Sequence, residues 1–478
     1  MSHLITPLAL CGGMGSRLWP MSRIDQPKQF QPVKGAGSLS FFQATLQRHR
    51  GPGFADPIVV TSARHGMIVA RQLREVQLRG RIIAEPVARN TGPAVLAAAL
   101  DVLSRNADAK LLVLPSDHVI TGDLSRTVLA MRSAADQGRI VTFGITPDSP
   151  ETGFGYITDG GALADYPGLH RVDRFVEKPT FDVASALLAD GNSYWASGIS
   201  LFRADVLVAE FQRLAPHTYH AVLSAWQQAR EMAFHLLLDE NTFAKAENEP
   251  TERLIFERTD RISLAPVRDI EWDDVGAWNA VHKISKPGSS GNVTTGDVIA
   301  VDTRNSLIRG RDNRLIAVVG MRDVIVVDTP DALLVTNRAN AQNVKGLVEE
   351  LKKNARPEVQ SHPSRDTGWG RIERLADAQD CNLDLLTVEP GATVLVNGTG
   401  ESQSLVTFLT DGGSYQQNGR WIAAASGHSV QVNSTVVLPV SNTGLQELRL
   451  VKLALTPARA VPSSTREAEP ARSVRTVI

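Results

Sequence analysis

The stretch CGGMGSRLWPMSRIDQPKQF, residues 11 to 30, follows the apolar run LITPLAL and holds three glycines, two arginines and a lysine. A glycine turn after a buried strand lets the backbone approach a ligand, and its exposed N–H groups bind phosphate oxygens. Arg17, Arg23 and Lys28 supply the positive charge such an anion needs, and Pro27 stiffens the loop that carries Lys28. No Gly-Lys-Ser/Thr follows, so this is not a Walker loop, and the dinucleotide-fingerprint spacing is also missing. GGMG alone serves equally well as a plain turn; the neighbouring cations favour the phosphate. Further on, the apolar run KLLVLP leads to Asp117, ordinarily a turn residue at a strand end, and EWDDVGAW offers a second acid, Asp274.

Elements must carry these groups to one edge. Residues 1–285 alternate short β-rich runs (ITPLAL, PIVVT, RIIAE, KLLVLP, RIVTFGI) with helix-period stretches such as GPAVLAAALDVLSR. This pattern predicts an α/β domain with a mostly parallel sheet covered by helices and a ligand beyond the carboxyl ends of its strands. KISKPGSSGN reads as a linker. Residues 291–356 then give closely spaced strands without intervening helices, closed by the amphipathic helix AQNVKGLVEELKKN, basic at its end as the helix dipole prefers. Residues 365–457 are again short strands, and 458–478 are polar and proline-rich, as in a disordered tail.

A chain of 478 residues exceeds one ordinary core. An apolar fraction of 42% suits a globular protein, and a net charge of −1 gives no general attraction to nucleic acid or to a membrane, so any anion affinity is local. Two distant cysteines, Cys11 and Cys381, argue against a disulfide framework and fit a reducing cytoplasm. The first residues lack the features of a signal peptide, and no window approaches the roughly 20 apolar residues of a membrane span.

The signature GGMGSRLWPMSR…PKQF resembles that of the sugar-nucleotide pyrophosphorylases, in particular the bacterial mannose-1-phosphate guanylyltransferases in their long form. The resemblance runs in order from Leu4 to about His362 through EPVARNTGPA, VLPSDHVI, TGFGYI, FVEKP, SGISLFRADVL, WDDVGAWNAV and VVDTPDALLV. Together these motifs are highly specific; singly, several are weak. The resemblance implies a Rossmann-like nucleotidyltransferase domain, a small β-helix-like domain and a C-terminal cupin-like β-barrel. It also implies transfer of GMP from GTP to mannose 1-phosphate, giving GDP-mannose and pyrophosphate. The same reaction on another sugar or base, or a catalytically weak scaffold subunit, stays open. A homodimer is implied as well.

Roles carried over by that resemblance begin with Gly12, Gly13, Gly15 and Ser16 around the nucleotide. Glu85 faces the nucleobase, where a carboxylate with acceptors only takes both guanine N1–H and N2–H. Arg89 and Asn90 help, and Gly92 lets the backbone come close. Asp117 and Asp274 hold Mg²⁺, which prefers oxygen ligands and usually keeps one or two protein carboxylates. Arg17 and Lys28 take the triphosphate and departing pyrophosphate; Lys178 takes the incoming phosphate. Glu177 bonds sugar hydroxyls, with Gly155, Ser197 and Gly198 beside it. Three positions depart from the pattern: Ala196 stands where the family usually has Asn, Asp273 where it has a small polar residue, and Glu252 where it has Asp. Glu257 keeps a later acidic position.

The third region departs further. GWGRIERL, VEPGATV and NSTVVLPVSNTG keep faint echoes of a cupin, yet the expected histidine-rich segment reads LVNGTGESQSL. His428 is the only histidine after Pro363, and a multi-histidine metal site cannot be built from one. No phosphomannose isomerase activity is expected; the barrel serves packing or interaction.

Overall fold

The computed structural model describes residues 4–32, 37–311, 314–378, 380–397, 403–433 and 435–455. The tail expected at 458–478 lies outside them. Two compact units divide the chain, Met1–His362 and Pro363–Ile478.

Among the described residues, the first unit is built on an eleven-stranded sheet. Strands Arg81–Glu85, Ile58–Ser62, Ile5–Cys11 and Lys110–Pro115 lie side by side and parallel. Leu8, Val59, Val60, Ile83 and Leu112 are buried along them, because each strand has a mostly apolar centre without polar alternation, as strands covered on both faces do. Helix Thr91–Leu103 is the most enclosed cover, with every residue from Gly92 to Val102 buried. This half gives the parallel arrangement its alternation predicts. The other half is mixed: Ser193–Arg203 runs antiparallel to both Lys110–Pro115 and Ile140–Ile145, and Ile262–Val267 is parallel to the latter. Tyr156–Ala162 and His170–Val176 form an antiparallel pair at that edge.

A two-stranded ladder sits apart from the sheet. Val119–Thr121 pairs antiparallel with Glu271–Asp273, matching Trp272 with Ile120 and Asp273 with Val119. Asp117 lies two residues before the first strand and Asp274 directly after the second, so this ladder brings them together across the sequence.

Beyond residue 290, parallel strands stack. Val293–Thr295, Leu307–Arg309 and Val324–Asp328 form one face, and Val298–Val301 with Ile316–Val319 another. Ile308, Val318, Val324 and Val326 fill the space between. Leu307, Ile325, Val344 and Val348 share a core with Leu18, Trp19 and Trp278, so the stacked strands and helix Val344–Lys353 pack onto the turn that follows the glycine loop.

In the second unit two antiparallel sheets, of six and four described strands, enclose Leu386, Val396, Val406, Phe408, Tyr415, Val440 and Leu450. This is the double-sheet arrangement of a cupin-like barrel. The LVNGTGESQSL segment is described only at its ends, since 398–402 lie outside the described residues.

Candidate active site

The glycine loop leaves the carboxyl end of strand Ile5–Cys11. Gly13 and Gly15 have φ of 75° and 66°, left-handed values that favour glycine. The loop's carbonyls face inward: Gln29 Nε2 donates to Gly12 and Gly13 O, Ser22 Oγ to Gly15 O at 2.6 Å, and Leu18 N to the same oxygen at 2.9 Å. Its N–H edge is thereby left for an anion. Ser16 and Arg17 start the turn Ser16–Leu18, and Arg17 is exposed. A side chain at position 15 would collide with Lys28 Cβ at 2.6 Å, so glycine there lets Lys28 pass beneath the loop. Cys11, directly before the loop, is buried, and burial pushes its thiol up to about 12, which keeps it unreactive.

Lys28 is 3% exposed and points at the acids rather than at the loop. Its Nζ donates to Asp117 Oδ2 at 3.1 Å and to the carbonyl of Asp274. Burial alone would raise the Asp117 carboxyl, but Lys28, with His118, outweighs it and holds the group below its ordinary value. Asp274 Oδ1 accepts from Gly276 N at 3.0 Å, and Asp273 Oδ1 from Val275 N at 2.7 Å. Burial, with Asp274 beside it, raises Asp273. Behind Asp117, His118 meets Trp272 edge-on and accepts from its Nε1 at 3.3 Å.

From Asp117 a cavity of about 350 Å³ runs to Glu85, past Gly12, Gly13, Arg89, Asn90 and Glu252. Glu85 ends strand Arg81–Glu85; its Oε1 is buried without a hydrogen-bond partner, and burial pushes the carboxyl up to about 8. Arg89 is pinned by two bonds to Ala244 O. Asn90, at φ 62°, caps the following helix through Oδ1 to Thr91 N. Gly92 has a different reason from the one expected. A Cβ there would sit 2.6 Å from Leu254 and 2.8 Å from Glu249 O, so its small size serves packing of the helix start against the 249–256 segment.

On the other side, Gly155 and Glu177 meet: a Cβ at 155 would lie 2.8 Å from Glu177 Oε2 and 3.3 Å from Ala196 Cβ. Glu177 pairs with Lys178 at 3.0 Å, and Lys178 is exposed with φ of 48°. Strain of that kind in a non-glycine residue is typical of functional sites. Gly198 lines the same cavity as Glu85. Ser197 is a correction. It is 1% exposed, and its hydroxyl donates to Phe143 O at 2.6 Å and accepts from Ile199 N at 3.2 Å, so its donor is spent inside the strand and burial keeps the oxygen from a sugar. Strand alternation explains this, since Ser197 points to the face opposite Ala196 and Gly198.

Arg23 is also a correction. It is fully buried, pairs with Asp331 at 2.9 Å, and donates to Pro20 O and Thr329 Oγ1. It ties the loop to the 329–361 segment instead of surrounding a phosphate.

Two family models match the chain: "Nucleotidyl transferase" over residues 6–288, and "MannoseP isomerase/GMP-like beta-helix domain" over 296–351. The chain belongs to the nucleotidyl transferase family. Within it, the mannose-1-phosphate guanylyltransferase of Salmonella montevideo is 37% identical, over 92% of this chain and 90% of that protein. The Klebsiella pneumoniae mannose-1-phosphate guanylyltransferase is 34% identical over 94% and 96%. The xanthan biosynthesis protein XanB of Xanthomonas campestris is 39% identical over 82% of each chain. A solved structure described as a mannose-1-phosphate geranyltransferase from Thermus thermophilus superposes with a TM-score of 0.64 at 27% identity, covering 73% of this chain and 99% of that one. This member of the family is a nucleotidyltransferase.

Against that background, the surroundings of two residues were not legible in the sequence: Glu252, named there only as a departure from the family pattern, and His118. Glu252 begins a π-type turn, Glu252–Phe256, lines the same cavity as Glu85, and is pushed up to about 7 by burial, with Glu177 adding repulsion. π-turns recur at functional sites, but nothing in the local sequence announces one. His118 adjoins a recognised motif residue; its contact with Trp272 depends on a ladder between segments about 150 residues apart.

Proposed function

We propose that this chain transfers GMP from GTP to α-D-mannose 1-phosphate, releasing pyrophosphate and forming GDP-mannose. The observation that carries this reading is the meeting of Asp117 and Asp274 on the buried ammonium of Lys28, with Asp117 lining a cavity that reaches the buried carboxyl of Glu85. Two relatives named mannose-1-phosphate guanylyltransferase, 37% and 34% identical over more than nine-tenths of the chain, support it.

The reaction needs no general base, because the sugar phosphate is already an anionic nucleophile. Its oxygen forms a bond to the α-phosphorus while the bond to the leaving pyrophosphate breaks in line. The barrier is repulsion between phosphates, so the protein acts by positioning and charge neutralisation. Gly12, Gly13, Gly15 and Ser16 offer N–H groups to the polyphosphate, and Arg17 offers its guanidinium. Lys178, exposed and beside Glu177, receives the sugar phosphate. Glu177 accepts from sugar hydroxyls over Gly155. Glu85, as carboxylate, accepts from guanine N1–H and N2–H, with Arg89 and Asn90 holding that wall.

A divalent cation fits the acid pair. Asp117 and Asp274 present only oxygen donors, and among the described residues no cluster of three or more His, Cys, Asp or Glu side chains could form a closed protein cage. That is the donor set of Mg²⁺, whose remaining positions go to phosphate and water. Bound there, it would supply charge neutralisation at phosphate oxygens. Asp117 and Asp274 would hold it, and Lys28 compensates Asp117 in its absence.

The second unit does not contribute an isomerase in this reading. Its one histidine, His428, stacks on Tyr415 with ring centroids 5.4 Å apart and Nε2 3.3 Å from the phenol oxygen. A cytoplasmic homodimer accompanies the proposal.

Incubating the protein with Mg²⁺, each sugar 1-phosphate and each nucleoside triphosphate, then measuring pyrophosphate, tests it. Release with GTP and mannose 1-phosphate alone is the expected result. A different preferred pair, or silence with every pair, refutes it. Interconversion of mannose 6-phosphate and fructose 6-phosphate would overturn the reading of the second unit.

A further inference from the structure

A second cavity, of about 700 Å³, is lined by Asp273 and Asp274. Arg17 lines it, and so does Arg338, which belongs to the segment that follows the stacked strands. Leu18 and Ala341 share one buried cluster, so the turns carrying the two arginines pack against each other. Arg338 is half-buried. One guanidinium nitrogen, Nη1, donates to Asn305 Oδ1 at 2.7 Å, and the backbone N–H donates to Asp323 O at 2.9 Å. Nε and Nη2 have no partner among the described residues and are free for a ligand in the cavity. Lys283 lines the cavity too and pairs with Asp148 at 3.3 Å in an exposed, weak ion pair, so it is a third cation there, whereas Arg338 presents a fixed guanidinium edge. Asp148, Glu151, Asp273 and Asp274 line the cavity too and oppose a free anion, so an anion is held only where the two guanidinium groups face it.

We infer that Arg338, supplied by the β-helix segment, binds the departing pyrophosphate together with Arg17. The inference rests on the proposed placement of the polyphosphate against the glycine loop. In an in-line displacement the leaving group departs opposite the incoming sugar phosphate, and Arg17 marks that direction. A planar guanidinium with one edge anchored by Asn305 and the other free suits a phosphate oxygen pair. The β-helix segment thereby becomes part of the catalytic wall as well as an appendage.

The test uses the full chain in the pyrophosphorolysis direction, with GDP-mannose and pyrophosphate as substrates. Arg338→Gln should raise KM for pyrophosphate about tenfold, the low end for losing a charge-assisted hydrogen bond. KM for GDP-mannose should stay within about twofold. Arg338→Lys should recover part of the loss. Asn305→Ala, which frees the anchored edge but keeps the charge, should give a smaller rise. Thermal stabilisation by added pyrophosphate should shrink in Arg338→Gln without a change in the ligand-free Tm. If Arg338→Gln leaves KM for pyrophosphate unchanged while Arg17→Gln raises it, the inference about Arg338 falls and the loop reading stands. If Arg17→Gln has no effect either, the polyphosphate placement itself is wrong. Equal rises in both KM values, or a lower ligand-free Tm, would assign Arg338 a structural role and overturn the inference.

Discussion

The ammonium of Lys28 lies 3.1 Å from a carboxylate oxygen of Asp117 and also donates to the backbone carbonyl of Asp274. One buried cation thus joins three segments that are distant in sequence. Lys28→Met should remove the interaction that holds Asp117 below its ordinary value, so the carboxyl rises. The acid limb of the pH–rate profile should then move to higher pH, and kcat/KM should fall by about a hundredfold. A depressed carboxyl contributes stability above its ordinary value, near 3.8, and loses that contribution as pH falls; the variant should therefore show weaker acid destabilisation. An unmoved acid limb would separate Lys28 from the titration of Asp117.

Asp117→Asn and Asp274→Asn should each weaken divalent-ion binding in the presence of nucleotide. Manganese bound in place of magnesium can be counted directly by electron paramagnetic resonance, independent of turnover. An affinity loss of about tenfold or more is expected in each variant, as for loss of a charged ligand. Activity should vanish on chelation and return with Mg²⁺. Undiminished manganese binding in Asp274→Asn would remove that residue from the metal site.

Burial pushes the Glu85 carboxyl up to about 8, from an ordinary value of 4.5. The folded state keeps a proton that the unfolded state has lost across that window. Stability associated with Glu85 is therefore full below about 4.5 and declines as pH rises toward 8. Guanine needs the carboxylate, so KM for GTP should fall as pH approaches 8. A protonated carboxyl offers one donor and one acceptor, the pattern that adenine N1 and N6–H₂ complement, so discrimination against ATP should narrow at low pH. Glu85→Gln presents that pattern permanently: GTP use should drop by roughly ten- to a hundredfold, with no pH dependence from this site. Retained GTP preference in the variant would place guanine recognition elsewhere.

Ser197 and Gly155 should separate folding from binding. Ser197→Ala removes a hydroxyl that serves two buried backbone groups, and should cost about 1–3 kcal/mol of stability with little effect on KM for mannose 1-phosphate. Gly155→Ala pushes a methyl group against Glu177 Oε2 and should raise that KM about tenfold with a small change in Tm. Denaturation and initial-rate kinetics on the same preparations distinguish the two.

Arg23→Met should destabilise the first unit by roughly 3–5 kcal/mol, because Asp331 loses its buried partner. Surviving folded protein should keep an ordinary KM for GTP. A raised KM with unchanged stability would return Arg23 to the phosphate site.

Much of the fold was legible because local periodicity reports burial. The runs ITPLAL, PIVVT, RIIAE and KLLVLP became neighbouring parallel strands, since each has a mostly apolar, non-alternating centre that demands cover on both faces. The antiparallel insertion of Ser193–Arg203 was not legible, because strand direction depends on connections rather than on residue pattern. For single side chains the same limit applies. Arg23, Lys28 and Arg17 look alike as cations in one short stretch, yet one is locked to Asp331, one bridges two acid segments and one stays exposed.

By itself the sequence determined which residue types were available: a glycine loop with left-handed demands, acids at strand ends, a carboxyl positioned before a helix start, and a third region with one histidine. Those are properties of composition and short-range order, which a linear reading captures. Tertiary structure alone decided which of these groups meet. The ladder pairing Asp273 with Val119 sets Asp117 beside Asp274, and strand alternation turns Ser197 inward. Leu18 and Ala341 share one core, and Arg338 lines one cavity with Arg17. Contacts of that kind arise from hydrogen-bond register and core packing between segments hundreds of residues apart, and no local pattern encodes them.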